Sequence, residues 1–129
     1  MSMLAAILFA QASAAAPAPK PVDPAVTEQV REIGAKLHDW RGAWAVVDGQ
    51  LGCRTVTSTE DEAIDLIGCA ALIHCIKPIY PELRAIADGP GEEADKKRRF
   101  GEKLSSQSRC LTEQRGTGIA ALALERAGK

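Results

Sequence analysis

Between Asp23 and Gly42 the apolar side chains stand at Val26, Val30, Ile33 and Leu37, at spacings of four, three and four. The residues between them are polar or small. That is one stripe of an amphipathic helix. Asp23 supplies an N-cap and Pro24 a first helical position. Trp40 extends the stripe, so the pattern predicts a helix over 24–41 that stops near Gly42.

The period then changes. Trp44-Ala45-Val46-Val47 and Gln50 to Thr57 read as two short strands around Asp48-Gly49, a dipeptide suited to a tight hairpin turn. An isolated two-stranded hairpin is marginal in water, so this one must lie on the helices. Ser58-Thr59-Glu60-Asp61-Glu62 opens a second helix with hydroxyl caps and first-turn acids. It is expected to run to about Lys77, where Pro78 and Pro81 break or kink it. A short third helix follows over 82–88 and stops at Gly89-Pro90-Gly91. The last helical region begins near Glu92, with Phe100, Leu104, Gln107 and Leu111 on its inward face. Gly116-Thr117-Gly118 is expected to bend or interrupt it, since each glycine costs about 1 kcal/mol against alanine. Ile119 to Arg126 resumes the helix, and Gly128 suits a C-cap. The predicted fold is mainly α: three to four helices, with a short β-hairpin between the first two.

The N-terminus changes the setting. Met3 to Ala10 is apolar, and Ala12-Ser13-Ala14-Ala15-Ala16 supplies small residues for cleavage after Ala14. This predicts a signal peptide over 1–14, although its first residues hold no Lys or Arg. The apolar run is far shorter than the roughly 20 residues of a membrane span. A Pro/Ala-rich linker over 15–22 then leads to one domain over 23–129. The expected location is periplasmic or secreted, with no transmembrane span in the mature chain. With 16 basic and 17 acidic residues, the net charge of −1 gives no general pull toward nucleic acid.

Four cysteines, Cys53, Cys69, Cys75 and Cys110, imply two disulfides in an exported chain. On a continuous helix Cys69 and Cys75 point roughly 240° apart and stand about 9 Å apart along the axis. A disulfide needs Cα atoms within roughly 7 Å, which excludes that pair. Two pairings remain. If the strand returns along the second helix from Ser58-Thr59, Cys53 reaches the height of Cys75. If the chain folds back at Gly89, Cys69 faces Cys110. Those lengths favour Cys53–Cys75 with Cys69–Cys110 over Cys53–Cys69 with Cys75–Cys110.

Sharper chemistry finds little support. Cys69, His74 and Cys75 have the wrong spacing and directions for zinc, and no C-x-x-C-H haem motif or redox C-x-x-C is present. No cofactor is therefore expected. A Cys75–His74 nucleophile fails because neighbours on a helix diverge by about 100°. The acids at Glu60, Asp61, Glu62 and Asp65 read as a helix first turn. In Glu92 to Arg99, the pairs Glu92–Lys96, Glu93–Lys97 and Asp95–Arg99 stand at i,i+4, so the run reads as a solvated face. Trp40, Arg41 and Trp44 form a candidate aromatic platform, with core anchoring as the plainer role. Arg98 and Arg99 are candidate contacts for an anionic partner. The sequence thus favours a non-catalytic binding module whose partner is another envelope protein. The alternative is a small hydrolase-like enzyme assembled around His38, with Asp39 and Glu60, or around His74.

Overall fold

A computed structural model describes residues 23–128. The expected signal peptide and linker lie outside the described residues. The elements in chain order are α1 (Pro24–His38), β1 (Arg41–Val47), β2 (Gln50–Thr57), α2 (Glu62–Ile76), a 3-10 turn (Lys77–Ile79), α3 (Tyr80–Asp88), α4 (Glu93–Ser105) and α5 (Ser108–Arg126). Five helical segments form three rods: α1 alone, α2 with α3, and α4 with α5.

Local chemistry sets most boundaries. The Asp23 carboxylate accepts the Ala25 N–H at 2.8 Å and starts α1. α1 ends at His38, earlier than its apolar stripe implied, because Arg41 caps it. The Arg41 guanidinium donates to the carbonyls of His38 and Trp40 at 3.0 and 2.8 Å. Trp40 therefore sits at the turn from helix to strand rather than on the stripe. The hairpin starts at Arg41, three residues before the expected run, and turns at Asp48 and Gly49 with φ of 52° and 77°. Those angles suit a type I′ turn, which matches the twist of the strands. Its pairing is antiparallel, with Trp44 opposite Cys53 and a bulge beside Gly42.

The link from β2 to α2 is built on two carboxylates. Asp65 accepts the Ser58 hydroxyl, the Thr59 N–H at 2.8 Å and the Thr59 hydroxyl at 2.7 Å. Asp61 caps α2 by accepting from Ala63 and Ile64, and it pairs with Arg126 of α5 at 2.7 Å. Both groups are held below their ordinary pKa. For Asp65 the Ser58 hydroxyl is the main cause, followed by the Thr59 N–H and hydroxyl. For Asp61 burial pushes upward, but Arg126 and the N–H groups of Ile64 and Ala63 outweigh it. A carboxylate with a depressed folded pKa stabilises the fold above its unfolded value, about 3.9, and that support is lost as pH falls through the folded value. Stability should therefore decline below about pH 4. An Asp61→Asn, Asp65→Asn double variant should be weaker near neutrality yet less sensitive to acid. Urea midpoints at several pH values between about 7 and 3 measure both slopes; parallel slopes would count against this role.

Pro78 and Pro81 do not end the second rod. Each takes one of the first positions of a new helical segment, where its missing N–H costs nothing. The rod 62–88 is long and apolar enough to cross a membrane by length and composition alone. Here it serves as the central helix, packed against α1, the hairpin and α5.

Gly116-Thr117-Gly118 does not interrupt α5 either. A Cβ on Gly118 would stand 2.8 Å from Ile67, so this glycine lets α5 approach α2 closely. The chain breaks instead at Ser106 and Gln107, between α4 and α5. Of the expected i,i+4 pairs, Asp95–Arg99 forms at 3.1 Å, while Lys96 stands 4.0 Å from Glu93. Arg98 bridges Asp95 and Glu102 at 2.7 and 2.8 Å.

Two apolar clusters share Leu72. The larger joins Ile33, Leu37, Trp40, Ile64 and Ala123. The smaller joins Ile76, Ile79 and Leu83, flanked by Trp44, Leu51, Phe100 and Leu104. Trp40 is 3% exposed, and its indole N–H donates to the Thr55 hydroxyl at 3.0 Å. A Cβ on Gly68 would lie 2.5 Å from its ring, and one on Gly42 2.2 Å. Both glycines make room for this one side chain.

The disulfides are Cys53–Cys69 and Cys75–Cys110, with Cα separations of 5.6 and 5.9 Å. This corrects the favoured pairing; the exclusion of Cys69–Cys75 stands. The residues 58–61 belong to neither element, so heights must be counted from the ends of strand and helix. Cys53 lies about 13 Å back from Thr57, and Cys69 about 10 Å along from Glu62. They are level. On the other side, Cys75 and Cys110 are equidistant in sequence from the start of α4, not from Gly89. The connection 89–92 lies outside both helices.

Candidate functional site

The candidate residues divide between the two clusters. Trp40 is core, and Arg41 is spent on the end of α1. The Arg115 guanidinium lies 5.7 Å from the centroid of the Trp40 ring and covers its outer side. Trp44 belongs to a different neighbourhood. It projects from β1 and stacks on Phe100 of α4, with centroids 6.3 Å apart and planes 14° apart. Tyr80, where the 3-10 turn meets α3, meets Trp44 edge-on at 6.3 Å. These are favourable aromatic arrangements, and each ring remains half-buried.

The three rings join hairpin, α3 and α4 around an open groove of about 380 Å³. Val46 and the Arg84–Asp88 pair form its edges. A second hollow, about 340 Å³, lies past Phe100 and Ala87 among Ala94, Lys96 and Lys97. Arg98 and Arg99 are on the same helix as Phe100, but their charge is already matched. Arg98 keeps its guanidinium on Asp95 and Glu102, which raises its pKa. Asp95 is lowered chiefly by its hydrogen bond to Arg98. Trp40, Arg41 and Trp44 thus do not form one aromatic platform, since Trp40 and Trp44 belong to different clusters. Trp44 finds aromatic partners that the sequence did not point to, because Tyr80 and Phe100 are distant in the chain and follow no shared spacing with it.

The residues weighed for catalysis do not converge. His38 stands at the end of α1 and lines a groove against α5, while His74 stands on α2 and lines another. Both side chains are exposed. Among the described residues, neither imidazole makes a hydrogen bond or ion pair with a neighbouring side chain. Asp61 and Asp65 are occupied as caps. All four cysteines are bonded, so no thiol is available as nucleophile or ligand. Among the described residues no group of three or more His, Cys, Asp or Glu is placed to hold a metal ion. The three aromatic rings, held on a braced frame, offer faces against which a partner could stack. No family model, curated protein or solved structure matches the chain.

Proposed function

We propose that the protein is a non-catalytic interaction module of the periplasm or the secreted space, and that another extracytoplasmic protein docks at the Trp44–Tyr80–Phe100 groove. The carrying observation is that aromatic cluster: three half-buried rings, on three elements, around an open hollow. Tryptophan and tyrosine in such hollows are the side chains that most often dominate association energy. Two intramolecular disulfides suit an oxidising compartment outside the cytoplasm. They also fix the hairpin and α5 to α2, so little conformational freedom remains to be lost on binding. The hydrolase-like alternative around His38 or His74 gains nothing from where these residues stand.

A photo-crosslinking side chain at Val46, on the groove edge, tests the reading in cells that produce the protein. One discrete adduct is expected there, none from the same group at exposed Lys36 on α1, and loss of the Val46 adduct in a Trp44→Ala background that retains its circular dichroism. Equal adducts at both positions, or no adduct at Val46, would remove the proposal.

A further inference from the structure

The groove between α1 and α5 has a composition that packing does not explain. Gly34, Leu37 and His38 line it from α1, and Thr112, Arg115, Gly116 and Ile119 from α5, around about 360 Å³. A Cβ on Gly34 or Gly116 would meet nothing within 4 Å. Neither glycine is needed to admit a neighbouring side chain or helix, unlike Gly68 and Gly118. Each nevertheless disfavours its helix relative to alanine. Their common effect is to keep the groove open from both sides.

Its charge is also unmatched. Arg115 forms no ion pair among the described residues, in contrast to Arg31, Arg84, Arg98, Arg99, Arg109 and Arg126. Its Nε is buried without a hydrogen-bond partner. The indole of Trp40 lies under the guanidinium. The ring attracts the cation but takes up none of its fork of N–H donors. No carboxylate lines the groove; its remaining walls are Leu37, Ile119 and the two glycines, with His38 and Thr112 as the other polar side chains.

From this combination we infer that the α1–α5 groove binds a small monocarboxylate with an apolar body. The carboxylate pairs with Arg115, and the hydrocarbon lies between Leu37 and Ile119 over the two glycines. An arginine fork matches a carboxylate geometrically, and a hollow of this size suits a ligand of modest length. The proposal is independent of the protein-docking reading, which uses the opposite cluster.

Titration calorimetry of the oxidised protein with octanoate tests it, with 1-octanol as the uncharged control. Octanoate should saturate one site with a dissociation constant of roughly 0.1–1 mM, and 1-octanol should bind at least about tenfold more weakly. Arg115→Gln should weaken octanoate by about tenfold or more while leaving 1-octanol unchanged. Gly34→Leu provides the arm that does not risk the fold: it improves the helix yet fills the hollow. Its melting temperature should be equal or higher, and octanoate binding should be lost. No saturable binding of octanoate, equal binding of octanol, or undiminished binding to folded Gly34→Leu overturns the inference.

Discussion

Reducing both disulfides will largely unfold this domain. The bridges close loops with sequence separations of 16 and 35 residues. In the chain-entropy account these contribute about 3 and about 4 kcal/mol. A domain of this size has a total stability of only about 5–15 kcal/mol. Losing both bonds therefore removes a large part of what separates folded from unfolded chain. The two bonds are not equivalent. Cys75–Cys110 closes the longer loop, and Cys75 is fully buried where the central rod meets α5. The Cys75→Ala, Cys110→Ala pair should thus lower stability more than Cys53→Ala with Cys69→Ala. Thermal melts followed by far-ultraviolet circular dichroism, with and without a phosphine reductant, measure the total effect. An unchanged midpoint after complete reduction would show that the helices hold without their bridges.

The second large effect belongs to Trp40. Truncation of a buried large aromatic side chain costs about 3–5 kcal/mol. Here Trp40→Ala also leaves the Thr55 hydroxyl without its indole donor and Arg115 without its ring. Gly42 and Gly68, which both border this ring, have no side chain with which to fill the hole. The reciprocal change makes the same point. Gly68→Ala would gain helix propensity of about 1 kcal/mol in an open position. Its new methyl would instead press on the ring, and overpacking of this kind costs about 1–3 kcal/mol. Trp44→Ala, at a half-exposed ring, should be milder than Trp40→Ala. Urea midpoints for the three variants rank them directly. A Trp40→Ala protein as stable as Trp44→Ala would displace Trp40 from the centre of the core.

The groove and the aromatic site owe their existence to contacts between distant segments. Trp44 and Phe100 follow no common period, and Phe100 reads in the sequence only as one apolar position on a helix face. The opening at Gly34 and Gly116 is equally hidden. In the chain a glycine needed for close packing and a glycine that keeps a hollow open are the same letter. Gly118 and Gly116 are two residues apart and play these two different roles.

Local chemistry, by contrast, was legible by itself. Asp23-Pro24 started the first helix and Asp48-Gly49 turned the hairpin, because each choice is made within a few residues of backbone; the second helix starts where expected, but its cap is Asp61 rather than the Ser58 or Thr59 hydroxyl. The even cysteine count and the direction of Cys69 against Cys75 limited the bridges to two arrangements, since helix geometry needs no tertiary information. Which arrangement holds depended on where strand and helix actually end and on the unpaired links between them. The path of α5 through its glycines and the placing of Trp40 at the turn beyond α1 were likewise settled by packing. Each is a local preference of about a kilocalorie or two, and burial against several neighbours at once outweighs preferences of that size.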